Sequence, residues 1–320
     1  MARCNVCGRK AVIKIPYARL SLCRDHFSEY IENKVLKTIK RYKLISRDMR
    51  ILLAVSGGKD SITATYILNK ISKIIGFELY LFHIDLGIGL YSEMSKRVVR
   101  NVVQSLKIPL ILIELKKILG AGIPELASKA RRPACSVCGV VKRYIMNAAA
   151  IELKADAIAT GHNLDDMATY VFKEFVNQNL EAISKLAPKI DGVNDIVAAK
   201  IRPLYEVYER ESLVYVLANK IEFVKDECPH VRFDTLDNMI RNKLSELEER
   251  FPGFKISFIR KLVKNIEKYP KPQGKFHKCK ICGLASSGEL CAFCRLTNKV
   301  LGKPMGSLVR EHIRDLLKKL

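Results

Sequence analysis

Ile51-Leu52-Leu53-Ala54-Val55 runs directly into Ser56-Gly57-Gly58-Lys59-Asp60-Ser61 and then into Ile62-Thr63-Ala64-Thr65-Tyr66-Ile67-Leu68. Five apolar residues in succession read as a strand buried on both faces. The apolar residues beyond Ser61 recur at helical intervals, which predicts a helix around Ser61–Ser72. Between the two, a pair of glycines lets the backbone turn tightly and aim several N–H groups at one point, where a helix N-terminus adds partial positive charge. Lys59 can neutralise phosphate charge, and the Ser56 and Ser61 hydroxyls can add donors. The stretch is read as a phosphate-holding turn. A Gly-rich turn with merely solvated polar residues is the bland alternative.

Outward from this point, short apolar runs alternate with helical stretches. Strands are predicted at Ile51–Val55, Leu79–Ile84, Leu110–Ile113 and Ala157–Ala159, with helices around Ser92–Leu106, Val140–Leu153 and Asp165–Asn177 between and after them. That alternation implies an α/β fold with a doubly wound parallel sheet, in which ligands sit beyond the carboxyl ends of the strands. Two further strand ends therefore matter. His83-Ile84-Asp85 closes one, with main-chain groups available to an adenine edge, although His83 could equally be a packing residue. Thr160-Gly161-His162-Asn163-Leu164-Asp165-Asp166 follows another and sets two carboxylates in a helix's first turn, where acids are also simple caps. Further on, a loop is predicted around Pro188–Asp195, a strand near Ala198–Ile201, and helices near Arg210–Asn219, Thr235–Arg250 and Ser257–Lys268, followed by a linker at Tyr269–Lys278.

Ten cysteines fall into three groups. Cys4-x2-Cys7-x15-Cys23-x2-His26 and Cys279-x2-Cys282-x8-Cys291-x2-Cys294 each supply four ligands at the spacing of a tetrahedral zinc site. The fold is thus expected to carry zinc-binding modules at both ends. The middle group differs. Cys135-x2-Cys138 is placed immediately before a helix, and Cys228 lies 90 positions after Cys138. Three thiols without an obvious fourth make a poor structural zinc site but suit a [4Fe–4S] cluster with one open iron, where a sulfur could bind. A redox disulfide between Cys135 and Cys138, a catalytic persulfide, or a chance pair with a buried Cys228 are competing readings, and His230 is a candidate fourth ligand. On the helix after the pair, Val141, Tyr144, Ile145 and Ala148 should pack inward, while Lys142 could reach bound phosphates or be only solvated.

The charge balance points to a partner. Lys and Arg number 56 against 33 Asp and Glu, a formal net charge of +23 that a polyanion would offset, and nucleic acid is the commonest such partner. Two basic stretches are candidate RNA contacts: Lys34, Lys37, Lys40, Arg41 and Lys43 on a helix predicted at Ser28–Lys43, and the run from Lys255 to Lys278. No apolar segment is long enough to span a membrane, and cysteines stand where a signal peptide would carry its apolar region, so a cytoplasmic location is expected.

Ser56–Ser61 does not have Walker A spacing; it resembles the PP-loop SGGxDS of enzymes that cleave ATP to AMP and pyrophosphate. With the N-terminal knuckle, this loop, the central CxxC and the C-terminal ribbon in that order, the chain resembles the TtuA family of tRNA 2-thiouridine synthetases. The carriers are SGGKDS (Ser56–Ser61), HIDLGIGLYS (His83–Ser92), CSVCG (Cys135–Gly139), KRYIMN (Lys142–Asn147), TGHNLDD (Thr160–Asp166), DECP (Asp226–Pro229) and CAFCR (Cys291–Arg295). The resemblance implies a PP-loop ATPase fold of the adenine nucleotide α-hydrolase type. It implies an ATP site built from Ala54, Ser56, Gly57, Gly58, Lys59, Asp60, Ser61, His83, Ile84 and Gly161, with Lys59, Lys142 and Asp166 close to the reacting centre. It also implies a [4Fe–4S] cluster on Cys135, Cys138 and Cys228, Mg2+ with the ATP, two Zn2+ ions and tRNA as substrate. A homodimer and a small ubiquitin-like sulfur-carrier protein with a thiocarboxylate complete the picture.

The domain plan expected on this basis is a zinc finger at 1–30, a basic linker helix at 31–48, the catalytic domain at 49–234, a helical linker at 235–274, a zinc ribbon at 275–297 and a basic tail at 298–320. The activity implied is ATP-dependent adenylation of a uridine O2 followed by sulfur transfer, with the T-loop uridine favoured over the wobble uridine. Two rivals stand beside it: another PP-loop reaction such as lysidine formation, which would leave the central cysteines idle, and a zinc-containing RNA-binding protein with a vestigial loop.

Overall fold

The computed structural model describes residues 2–271 and 276–320. The N-terminal module is a hairpin, β1 (Ile13–Ile15) and β2 (Leu20–Leu22), followed by the long helix α1 (Arg24–Arg41). The central layer then alternates: β3 (Arg50–Ala54), α2 (Lys59–Ile75), β4 (Glu78–Asp85), α3 (Gly89–Leu106), β5 (Leu110–Glu114), the short α4 (Leu115–Leu119), α5 (Ile123–Ala130), α6 (Ala134–Leu153), β6 (Ala157–Ala159) and α7 (Leu164–Val176). The short α8 (Leu180–Ser184), β7 (Lys189–Ile190), β8 (Lys200–Ile201), α9 (Glu209–Ala218), α10 (Leu236–Arg250) and α11 (Phe254–Lys264) follow. The C-terminal module holds β9 (His277–Lys278), β10 (Ala285–Ser286), α12 (Ala292–Leu301) and α13 (Gly306–Leu317).

The sheet order is β5-β4-β3-β6-β8-β7. Strands from β5 to β8 run parallel, with Leu52 paired to Tyr80 on one side and to Ile158 on the other. The order reverses at β3, so the crevice beyond the ends of β3 and β6 is where a doubly wound sheet binds its ligand. β7 pairs antiparallel with β8, in the segment expected to be a loop. Two residues of pairing are too short to announce themselves as a periodic pattern in sequence.

Both faces are covered, as an all-apolar strand requires. Ile51, Leu53 and Val55 face a core shared with α1, α2, α3 and the N-terminal module. Leu52 faces the opposite core, shared with α5, α6 and the C-terminal module. The terminal metal modules therefore belong to opposite sides of one sheet. The C-terminal module is fastened to α6: the Tyr144 ring stacks on Phe293 with centroids 4.0 Å apart, and its hydroxyl donates to the Gly306 carbonyl at 2.9 Å. Segment 298–320, expected as a basic tail, contains α13, whose Val309 and Ile313 are fully buried against this core. Of the linker expected at Tyr269–Lys278, residues 272–275, including Lys275, lie outside the described residues.

Candidate functional site

A cavity of about 390 Å³ opens where strand order reverses, lined by residues from the ends of β3, β4 and β6 and by α3 and α6. The loop after β3 turns at Gly57, whose φ of 90° is in the left-handed region that favours glycine. α2 starts with Gly58 as its cap and no side chain on its first N–H groups, leaving them for a ligand. Ser61 Oγ is within 3.2 Å of Ser56 Oγ, so both hydroxyls belong to the same small cradle. Across from them, a β-carbon at Gly161 would lie 2.9 Å from the Ser61 nitrogen, so only glycine lets the two loops close to this distance.

Two buried polar atoms on this cavity have no partner: His83 Nε2 and Ser95 Oγ. His83 Nδ1 lies 2.8 Å from the Val55 carbonyl, which can only accept, so Nδ1 carries the proton and Nε2 presents a lone pair. Burial lowers the His83 pKa, outweighing the Val55 carbonyl and Asp85, and keeps the ring neutral. Orphaned buried groups are costly in a folded protein unless a ligand completes them. An acceptor, a hydroxyl, a helix N-terminus and apolar walls from Phe82, Ile84 and Met146 together fit an adenine nucleotide.

Of the residues singled out from sequence, Ala54, Ser56, Gly58, Asp60, Ser61, His83, Ile84, Lys142, Gly161 and Asp166 line this cavity. Lys59 and Gly57 are not among the lining residues. Gly57 instead accepts a backbone hydrogen bond from Val224 at 2.9 Å. The Lys59 ammonium lies 3.1 Å from Asp60 and 2.8 Å from Glu209. Burial opposes its charge, but Asp60 and Glu209 outweigh burial and raise its pKa. Glu209 also pairs with Arg241 at 2.8 Å, and Arg241 reaches Asp166 at 2.5 Å, so an ionic chain joins Lys59 to Asp166 around the cavity rim. Burial raises the Asp60 carboxyl, with Lys59 pulling the other way. Sequence reasoning missed Glu209 and Arg241 because their partners are remote in the chain. It also missed Tyr91, Ser95 and His162, although all three stand inside or beside motifs at strand ends.

The central thiols gather at the side of this cavity. α6 begins at Ala134, capped by Pro133, so Cys135 lies in its first turn and Cys138 at the start of its second, and not before the helix as expected. Pro133 caps the helix with φ −54° and ψ 137°, an extended conformation, so helical geometry starts at the very next residue. Cys228 approaches from the segment after α9. Cys135 Sγ donates to the His230 carbonyl at 3.3 Å, which ties that segment to the helix, and Cys138 and Cys228 pack against the same core as Tyr91. Here His230 meets Cys135 through its backbone. Burial pushes the Cys138 thiol up, the Lys142 ammonium pulls it down, and negative charge on Cys228 or Cys135 raises it further. The same Lys142 lines the nucleotide cavity, so thiols and cavity share a wall. Two thiols at a helix N-terminus, a third brought to them by the segment after α9, and a lysine alongside fit a thiolate-bound iron–sulfur cluster.

The terminal groups are built differently. Among the described residues, the groups whose ligand atoms all lie within 4.8 Å of one another are Cys4, Cys7, Cys23 and His26, and Cys279, Cys282, Cys291 and Cys294. Cys7 and Cys23 sulfurs are 3.7 Å apart, and those of Cys282 and Cys291 are 3.8 Å apart. A tetrahedron with metal–sulfur bonds of about 2.3 Å has edges of about 3.8 Å, so both sets fit one zinc ion. Desolvation works against ionising Cys4, but hydrogen bonds from backbone N–H groups and His26 overcome it and hold the thiol at about 5.

Two of the expected RNA contacts are not on the surface. Lys34 is buried and pairs with Glu211 at 2.7 Å, while Lys255 is buried and pairs with Asp165 at 2.5 Å. A desolvated cation needs a partner, and each has one from a distant segment. Lys37, Lys40, Arg41 and Lys43 remain exposed.

Residues 27–248 match the PP-loop domain family, and residues 3–28 match the N-terminal LIM domain of 2-thiouridine synthetase TtuA. A tRNA-5-methyluridine(54) 2-sulfurtransferase of Pyrococcus horikoshii is 45% identical over 92% of this chain and 93% of its own length. A protein of that name from Thermus thermophilus is 34% identical over 93% and 91%. The U34-tRNA thiolase NcsA of Methanococcus maripaludis, solved with its [4Fe–4S] cluster, superposes with a TM-score of 0.77 at 26% identity, covering 94% of this chain and 96% of that one. No described helix is long and apolar enough to cross a membrane. A PP-loop at the switch point of the sheet, thiols beside it and a four-ligand metal module at each end, together with these matches, show that the chain belongs to the TtuA family of PP-loop 2-thiouridine synthetases.

Proposed function

We propose that this protein thiolates tRNA, replacing O2 of the T-loop uridine with sulfur at the expense of ATP. The observation that carries the reading is the shared wall: Lys142 lines the nucleotide cavity and also borders Cys138. An enzyme that activates a carbonyl with a nucleotide and then delivers sulfur needs those two chemistries adjacent. The relatives from Pyrococcus and Thermus support position 54 as the target.

In the first step, uridine O2 attacks the α-phosphorus of ATP and pyrophosphate departs. The loop at Ser56–Ser61 and the start of α2 stabilise the departing charge, with Lys142 placed for the same role. Asp60 and Asp166 are the cavity carboxylates that would hold Mg2+. Lys59, held by Glu209, acts on the phosphates only if they displace that carboxylate. In the second step, a nucleophilic sulfur adds to C2, the C2–O2 bond breaks, and AMP leaves with the former O2. Cys135, Cys138 and Cys228 would hold a [4Fe–4S] cluster, which when bound supplies an iron with a free position for sulfur. The terminal groups, Cys4, Cys7, Cys23 and His26 and then Cys279, Cys282, Cys291 and Cys294, would each hold zinc and stabilise the fold. In this reading sulfur arrives as the thiocarboxylate of a small ubiquitin-like protein, and the chain works as a homodimer.

The wobble uridine is the second reading, favoured by the likeness to NcsA. Anaerobic incubation of the iron-reconstituted protein with unmodified tRNA, ATP and sulfide, followed by position-mapped mass spectrometry of the nucleosides, separates the two. Sulfur at the T-loop uridine is expected. Sulfur confined to the wobble position would select the second reading, and none with ATP turned over would contradict thiolation itself.

A further inference from the structure

The two basic stretches legible in the sequence, one in α1 and one in α11, meet in space. They line a second cavity of about 490 Å³, to which α1 contributes Lys37 and Arg41 and α11 contributes Arg260. Glu206 lies at its inner wall, almost fully buried. Arg41 donates to both Glu206 oxygens, at 2.5 and 2.7 Å, and Arg260 to one of them at 2.5 Å. Each guanidinium has five N–H donors in a planar fork, so both keep donors beyond those spent on Glu206. Lys37 has no acceptor among the described residues and is exposed. With Lys34 also lining the cavity and paired to Glu211, four cations stand against two carboxylates. The surplus is positive in a site partly shielded from water, where it attracts an anion more strongly than at an open surface.

The remaining walls narrow the class of anion. Tyr17 and Tyr30 line the cavity, with hydroxyls 3.0 Å apart. Tyr30 is half-buried, and its ring is in no aromatic pair among the described residues. Converging guanidinium forks suit the tetrahedral oxygens of a phosphate, and a tyrosine face suits a base or sugar beside it. The volume exceeds the needs of a bare phosphate. Glu206 stands three residues before Glu209, the carboxylate that holds Lys59 and Arg241, so one segment borders both this cavity and the nucleotide site.

We infer that this cavity is an anchoring site for the RNA substrate, taking one backbone phosphate and its flanking nucleotide between α1 and α11. The inference rests on tRNA being the substrate, and it adds where the RNA is held away from the reacting base. Such a contact carries no sequence information but fixes the register of the bound RNA.

The test uses the full chain and unmodified tRNA, with dissociation constants measured at about 50 and about 200 mM salt. Lys37→Ala should weaken binding about three- to tenfold and lower the slope of log Kd against log salt by about one. Arg260→Lys, which keeps a charge for Glu206 but loses the fork, should weaken binding by a similar factor. ATP affinity should be unchanged in both. Wild-type affinity and slope in both variants would overturn the inference. With free sulfide as sulfur source, the KM for tRNA should rise in parallel with Kd. A defect seen only when a thiocarboxylated protein supplies the sulfur would make this a protein-docking site and also overturn it. Failure of the wild-type chain to thiolate despite tight tRNA binding would instead count against the function proposed above, leaving the salt slopes to judge the cavity.

Discussion

The terminal cysteine groups and the central one present the same thiol ligands in opposite settings. At each terminus, four ligands come from a short stretch of chain and lie within 4.8 Å of one another; all four are buried at the C-terminal end, and Cys4 and Cys23 at the N-terminal end. In the centre, three thiols come from two segments 90 residues apart, Cys135 is exposed, Cys138 and Cys228 are half-buried, and a ligand cavity lies alongside. A closed tetrahedron satisfies its metal and has nothing left to offer, which suits a fold-holding role. An open, three-thiol site beside a nucleotide cavity suits chemistry.

The sharpest way to break this contrast is to delete one central ligand. Cys228→Ala should reduce thiolation by on the order of a thousandfold or more while the protein stays folded, a separation read by nucleoside mass spectrometry beside circular dichroism. A smaller effect is expected from Lys142→Ala, which removes the charge shared by cavity and thiols. Thiolation should fall on the order of a hundredfold with the iron content unchanged, and a loss of iron instead would make Lys142 a support for the thiols. Next comes a terminal ligand: Cys294→Ser should lower Tm by roughly 10 °C, yet at low temperature thiolation should stay within about tenfold of wild type. The mildest change is Tyr144→Phe, which deletes the bond between α6 and Gly306. It should cost about 1 kcal/mol, visible as a Tm lower by about 2 to 3 °C, with thiolation retained.

What the sequence reveals follows from how local the determinants are. β3, the loop after it and α2 are contiguous, so Ile51–Ser61 is enough to predict strand, turn and helix. Both terminal metal groups are legible for the same reason, since their spacing is short and set by local turns. Cys228 is visible as a thiol, but its meeting with Cys135 depends on a contact across 95 residues that periodicity does not encode. Lys34 and Lys255 are misread as surface cations because Glu211 and Asp165 lie far along the chain, and burial comes only with the fold. For the same reason Glu209 and Arg241 are silent in sequence, although they tie Lys59 to Asp166 in space. α13 did carry a signal, since Val309, Ile313 and Leu316 recur at helical spacing, but only the core beneath α6 tells which face they cover.

The central claim is a division of labour between the cysteine groups, and metal content measured side by side on two variants tests it most directly. After anaerobic iron and sulfide reconstitution, Cys228→Ala should contain about two zinc ions and no cluster, whereas Cys294→Ser should contain about one zinc and a full [4Fe–4S] complement. A cluster retained in Cys228→Ala, or lost in a folded Cys294→Ser, would contradict the account.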